Sequence, residues 1–167
     1  NVTLPSSDKE RSISKWIHAG SDLEDIDTKR PPWRARHHFH NPINNEGLDN
    51  QTDHPKWSKF ISKNKILALL INSGWTPNGE SAVHWATKGY DRGGRVPVYN
   101  HYYWWSARED FMRSLSLDNK TIREANLANA FLDLGQVCHL LEDMGVPAHT
   151  RNDFIYGHFL GNRWTAN

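Results

Sequence analysis

Residues 118–149 read DNKTIREANLANAFLDLGQVCHLLEDMGVPAH, and this stretch decides the fold class. Asp118 or Asn119 offers a capping side chain at its start. Behind the cap, Ala125, Leu127, Ala130, Phe131, Leu134, Val137, Cys138 and Leu141 recur with few interruptions, which predicts the longest helix of the chain, ending at about Met144. Gly145 and Pro147 then stop it and turn the chain. Upstream, Tyr99 to Leu117 carries a second helical pattern through Tyr102, Trp105, Phe111, Met112 and Leu115. A third runs from Trp57 to Ser73, with Phe60, Ile61, Ile66, Leu67, Leu70 and Ile71 on one broad face and Gly74 closing it. Ser7 and Glu10 form a capping-box pattern ahead of Ile13, Trp16 and Ile17, predicting a first helix over roughly residues 8–19 that ends at Gly20. A short helical piece is expected around Glu80 to Lys88, and Asp91-Arg92-Gly93-Gly94 reads as a turn. No segment alternates long enough to predict a strand, and no repeat is visible. The expectation is an all-α fold in a single domain over residues 1–167.

Composition narrows the function classes. A chain of 167 residues is long enough to bury one core without disulfides. Twenty Lys and Arg against nineteen Asp and Glu leave a net charge of +1, so no strong basic field points to nucleic acid. The single cysteine, Cys138, forms no internal disulfide. No run approaches the eighteen or so apolar residues a spanning helix needs, so no transmembrane segment is expected. The chain begins at Asn1 without a methionine or leader pattern, and is expected to be processed or part of a longer one. Oligomeric state is not legible. Ten histidines are the surplus that needs an account, and imidazole in surplus raises the question of a metal.

His139 and Asp143 stand four apart on the long helix, one turn from each other on one face. By itself such a pair is usually an ordinary surface contact. His149 follows just beyond the turn, and His158 nine residues later. A second cluster lies in the proline-punctuated stretch from Asp22 to Asp53, expected to be a long loop: Asp22, Glu24, Asp25 and Asp27, then Arg36-His37-His38-Phe39-His40-Asn41-Pro42. One carboxylate and one imidazole from this stretch, added to His139 and Asp143, would make a four-ligand nitrogen-and-oxygen site of the kind zinc favours.

These residues resemble a family. His139-x3-Asp143-x5-His149, with Pro147 two before the last histidine, resembles the signature of the zinc-dependent phospholipases C and single-strand-specific zinc nucleases. His38-Phe39-His40-Asn41-Pro42 is similar to the family's His-Phe-aromatic-Asp-Pro segment, and Gly20-x4-Asp25 to the Gly-x4-Asp ahead of it. The matches run in the family's order from about Gly20 to Trp164. The resemblance implies an all-α phospholipase C or nuclease-like bundle with long metal-bearing loops.

It also implies roles. Asp25, His38, His139 and Asp143 would hold one zinc, with Asp143 bridging toward a neighbour; His149 and His158 would hold a second; Asp22 remains an alternative to Asp25. Asn162 stands where the family has Glu or Asp, and Asn1 where it has the tryptophan of a further site, so the implied complement is one to three zinc ions. The implied reaction is phosphodiester hydrolysis by zinc-activated water, with Asp25 catalytic in orienting that water, in a secreted or periplasmic protein. Phospholipid is the first substrate reading and single-stranded nucleic acid the alternative; a non-catalytic metal-binding or structural module is the reading from another class. Ile26 and Ala35 occupy positions where phosphatidylcholine-cleaving members carry aromatics, so a choline cage is not expected. Arg34, Arg36 and Arg151 are the residues expected to grip phosphate, with Arg36 and Arg151 the primary candidates. Tyr102, Tyr103, Trp104 and Trp105 are expected mainly to pack a helix on the core, with base or lipid contact as the alternative.

Overall fold

The computed structural model describes residues 11–26, 34, 37–48, 79–91 and 98–151. Most of these are helical, in the order α1 (Ile13–Ile26), α2 (Ala82–Lys88), α3 (Trp104–Ser116), α4 (Lys120–Asp143) and α5 (Pro147–Thr150). Between α2 and α3 a minimal antiparallel ribbon joins β1 (Tyr90–Asp91) to β2 (Val98–Tyr99), with Tyr90 opposite Tyr99. Two-residue strands are too short to leave an alternating pattern, which is why the sequence does not announce them. The helix expected over residues 57–73 lies outside the described residues.

α4 is the axis: α1 and α3 both pack along it, and α2 leans on it. Asn119 rather than Asp118 caps it, its side chain accepting from the Ile122 N–H at 3.1 Å. Against its first half lie Trp16 of α1 with Ala128, Leu127, Phe131 and Leu132. Against its second half lie Ala82, Trp85 and Ala86 of α2 with Leu140, Val137 and Met144. Trp85 and Leu140 are completely buried, and truncating side chains of this size to alanine costs about 2–5 kcal/mol each. The short α2 is held at both ends. Ser81 accepts from the His84 N–H at 3.2 Å, and Gly89 leaves the helix with φ of +71°.

α1 differs from expectation in a way that matters for the site. Gly20 does not end it; the helix continues through Ser21 to Ile26, so Asp22, Glu24 and Asp25, expected in a loop, are helical, while Asp27 lies outside the described residues. The reason is packing. A Cβ on Gly20 would sit 1.9 Å from the carbonyl oxygen of Leu132, and one on Gly135 would sit 2.0 Å from that of Ile17. These glycines let two backbones touch, and neither serves as a stop.

Residues 37–48 wrap over the end of α4 without regular structure, but their backbone is tied down. The Ala82 N–H donates to the Phe39 carbonyl at 2.8 Å, and the His40 N–H to the His149 carbonyl at 3.0 Å. The Gly79 N–H donates to the Leu48 carbonyl at 2.8 Å, and Asn41 bridges to Glu46 around a tight turn. Phe39 and Leu48, both buried, anchor the segment. No helix among the described residues is long and apolar enough to cross a membrane.

Candidate metal centre

Four segments deliver polar side chains to one corner. α4 supplies His139 and Asp143 from its last turn, separated by one helical turn. α5, entered through Pro147 at its first position, supplies His149. The strapped segment supplies His38, and α1 supplies Asp25. Asp25 Oδ1 lies 3.7 Å from His38 Nδ1 and 3.5 Å from His139 Nε2. Asp143 Oδ2 lies 2.8 Å from His38 Nδ1 and 3.3 Å from His139 Nε2, while Asp143 Oδ1 faces His149 Nδ1 at 3.1 Å.

Those separations have a chemical meaning. Zinc bonds of 2.0–2.2 Å in a tetrahedron put neighbouring donor atoms about 3.3–3.6 Å apart. The spacings around Asp25, His38, His139 and Asp143 scatter about that value. His139 Nε2, His38 Nε2 and Asp143 Oδ2 are buried, yet none of them makes a hydrogen bond among the described residues. Donor atoms that are close but not aimed at one another suit a shared ion better than mutual hydrogen bonds. Asp25, His38 and His139 each offer one ligand atom within 4.8 Å of the others. The donor set, imidazole and carboxylate, fits zinc.

The electrostatics follow from burial and pairing. Burial pushes the Asp143 carboxyl up, but the imidazoles of His139, His149 and His38 outweigh it and hold it far below the usual carboxylate range. Burial depresses His38, and Asp143 with Glu24 overrides it, raising the imidazole to about 9. His139 is raised mainly by Asp143, against a smaller effect of burial. In the metal-free protein a proton on His38 balances the carboxylates beside it.

Not every expected residue is here. Asp22, the alternative to Asp25, points elsewhere and pairs with His18 at 3.6 Å on the exposed side of α1. His158 and Arg36 lie outside the described residues. Arg151 is exposed at the end of α5, its Nε donating to the Pro147 carbonyl at 3.2 Å. His37 is buried and stacks on Trp85 with ring centres 3.9 Å apart, so it belongs to the core. Trp104 and Trp105 stand out into solvent, 42% and 53% exposed, with Arg108 over the Trp105 ring. Arg34 corrects its expectation most clearly. It is buried and bound by Glu24, by Gln136 Oε1 at 2.8 Å and by Asn100, which leaves it unsuited to gripping a phosphate from outside.

Glu24 is the residue that sequence reasoning missed. It is 1% exposed, and one oxygen accepts from Arg34. The other accepts from Trp85 Nε1 at 3.4 Å and faces His38 Nε2 at 3.6 Å. Within an acid-rich run nothing marked it as inward; its i−3 and i+1 relation to Ser21 and Asp25, once helical, is the signal. No family model, curated protein or solved structure matches the chain.

Proposed function

We propose that this protein is a zinc-dependent phosphodiester hydrolase of phospholipase C-like type, working outside the cytoplasm. The observation that carries the reading is the convergence of Asp25, His38 and His139 within reach of one ion, with Asp143 2.8 Å from His38 and 3.3 Å from His139, from three separate segments. Together with the resemblance of their sequence context, it supports a bundle of the zinc phospholipase C and nuclease kind. Zinc, when bound, supplies Lewis acidity, bringing a coordinated water toward a pKa of about 7 and neutralising phosphoryl charge.

The chain's own residues divide the remaining work. His38, His139 and Asp143, all largely buried, hold the ion. Asp143 turns one oxygen toward them and the other toward His149, so with a second ion bound it would be the carboxylate shared between the two sets of ligands. Asp25, whose side chain is 61% exposed, is at the solvent edge, where its carboxylate both binds and orients the attacking water. Arg151 and Arg36 are the proposed phosphate contacts.

Elemental analysis of the purified chain is expected to find at least one tightly held zinc, lost in the His139→Ala, Asp143→Ala double variant. Parallel assays with a soluble phosphodiester lipid analogue and single-stranded DNA are expected to favour the lipid analogue. Preference for DNA would make it a nuclease, and zinc without either activity would make it a metal-binding module.

A further inference from the structure

We infer that Glu24, locked in place by Arg34, is a positioning residue that makes His38 present Nδ1 rather than Nε2 to the ion, and that Ser21 on the same helix face sets the opposite choice for His139. The inference rests on the proposed zinc site. A metal-binding imidazole has two nitrogens, and the partner of the outer one fixes which tautomer and which ring edge the ion receives.

The structure shows both choices. His38 Nδ1 faces Asp143 and Asp25, at 2.8 and 3.7 Å, while Nε2 faces Glu24 Oε1 at 3.6 Å. For His139 the ring is reversed: Nε2 faces Asp25 and Asp143, and Nδ1 faces Ser21 Oγ at 3.5 Å. Ser21, Glu24 and Asp25 stand at i, i+3 and i+4 on α1, so one helical face supplies a ligand and the outer partners of two others. A carboxylate stands 3.6 Å from the outer nitrogen of His38 and a hydroxyl 3.5 Å from that of His139, so the outer surroundings of the two imidazoles differ in charge as well as orientation.

Glu24 holds this role because it is fixed from behind. Arg34 binds its second oxygen, and Arg34 is in turn held by Gln136 Oε1 and Asn100 Oδ1 and lies over the Trp85 and Tyr102 rings. Trp85 Nε1 donates to the oxygen that faces His38. Arg34 and Trp85 between them satisfy both oxygens of this buried carboxylate, which fixes the one that faces His38.

The test uses the full chain. In protein loaded with cadmium-113 and labelled with nitrogen-15, scalar coupling is expected at His38 Nδ1 and His139 Nε2; coupling at His38 Nε2 would overturn the inference. Glu24→Gln combined with Arg34→Met removes both buried charges together, and is expected to lower zinc affinity about 10–100-fold in chelator competition. Asp22→Asn, on the exposed side of the same helix, is expected to leave affinity unchanged. Equal affinity in the folded double variant would reject the role of Glu24 while leaving the zinc site standing. A wild-type chain that takes up neither metal would remove the site and this inference together.

Discussion

Gly20 of α1 and Gly135 of α4 meet backbone to backbone, and a Cβ built on Gly20 would come within 3.1 Å of the Gly135 Cα. In an exposed helix interior, alanine for glycine gains about 1 kcal/mol. Here the added methyl meets a carbonyl oxygen, so the helices must separate, at a cost of about 1–3 kcal/mol or more. Gly20→Ala is therefore expected to lower Tm, and to weaken zinc binding because Asp25 rides on the displaced helix. A rise in Tm measured by circular dichroism would contradict the crossing geometry.

Asp143 is the hub for three imidazoles, and its removal acts even without metal. Asp143→Asn is expected to lose zinc in equilibrium dialysis and to destabilise the chelator-treated protein at pH 7, because His38 and His139 lose their counter-charge and His149 its carboxylate partner. Asp25→Asn, at the exposed edge, is expected to weaken zinc while leaving metal-free stability nearly unchanged.

Protons and zinc compete for His38. In the metal-free fold this imidazole is raised from 6.5 to about 9. The stability it contributes is complete below about pH 6.5 and is lost as pH rises through 9. Zinc takes the deprotonated form, so its affinity is expected to climb by up to about tenfold per pH unit between 7 and 9. Chelator competition at three pH values measures the slope; a flat profile would mean His38 gives up no proton.

A second buried carboxyl lies away from the metal corner, between α3 and α4. Burial and nearby Asp110 push Asp133 up to about 7, while a hydrogen bond with Ser106 works the other way. Its folded value stands above its unfolded one, so its contribution is complete below about pH 4, declines as pH rises, and is gone above about 7. Asp133→Asn, shaped like the protonated acid, is expected to raise Tm at pH 8 by several degrees and to change it little at pH 4, as a thermal melt series would record.

How much of this was legible depends on the range of the interaction. The α4 helix and the His139 and Asp143 pair need only local periodicity, and both are plain in residues 118–149. The approach of Asp25 and His38 to that pair spans more than a hundred positions, so only the family resemblance put them together. Gly20 reads as a stop because a glycine that ends a helix and one that admits a neighbouring backbone look alike in one dimension. Arg34 and Glu24 are illegible for a related reason: charge in a loop-like composition suggests solvent, and burial becomes visible only when Gln136, Asn100 and Trp85 surround the pair.

Because α1 contributes Asp25 and α4 contributes His139 and Asp143, a bound ion would act as a rivet between the beginning of the described chain and a helix far downstream. Closing so long a loop with one ion sets aside much of the freedom of the unfolded chain. Chelation should therefore free α1 before the rest of the bundle yields, making that helix the place where a protease first notices that the zinc is gone.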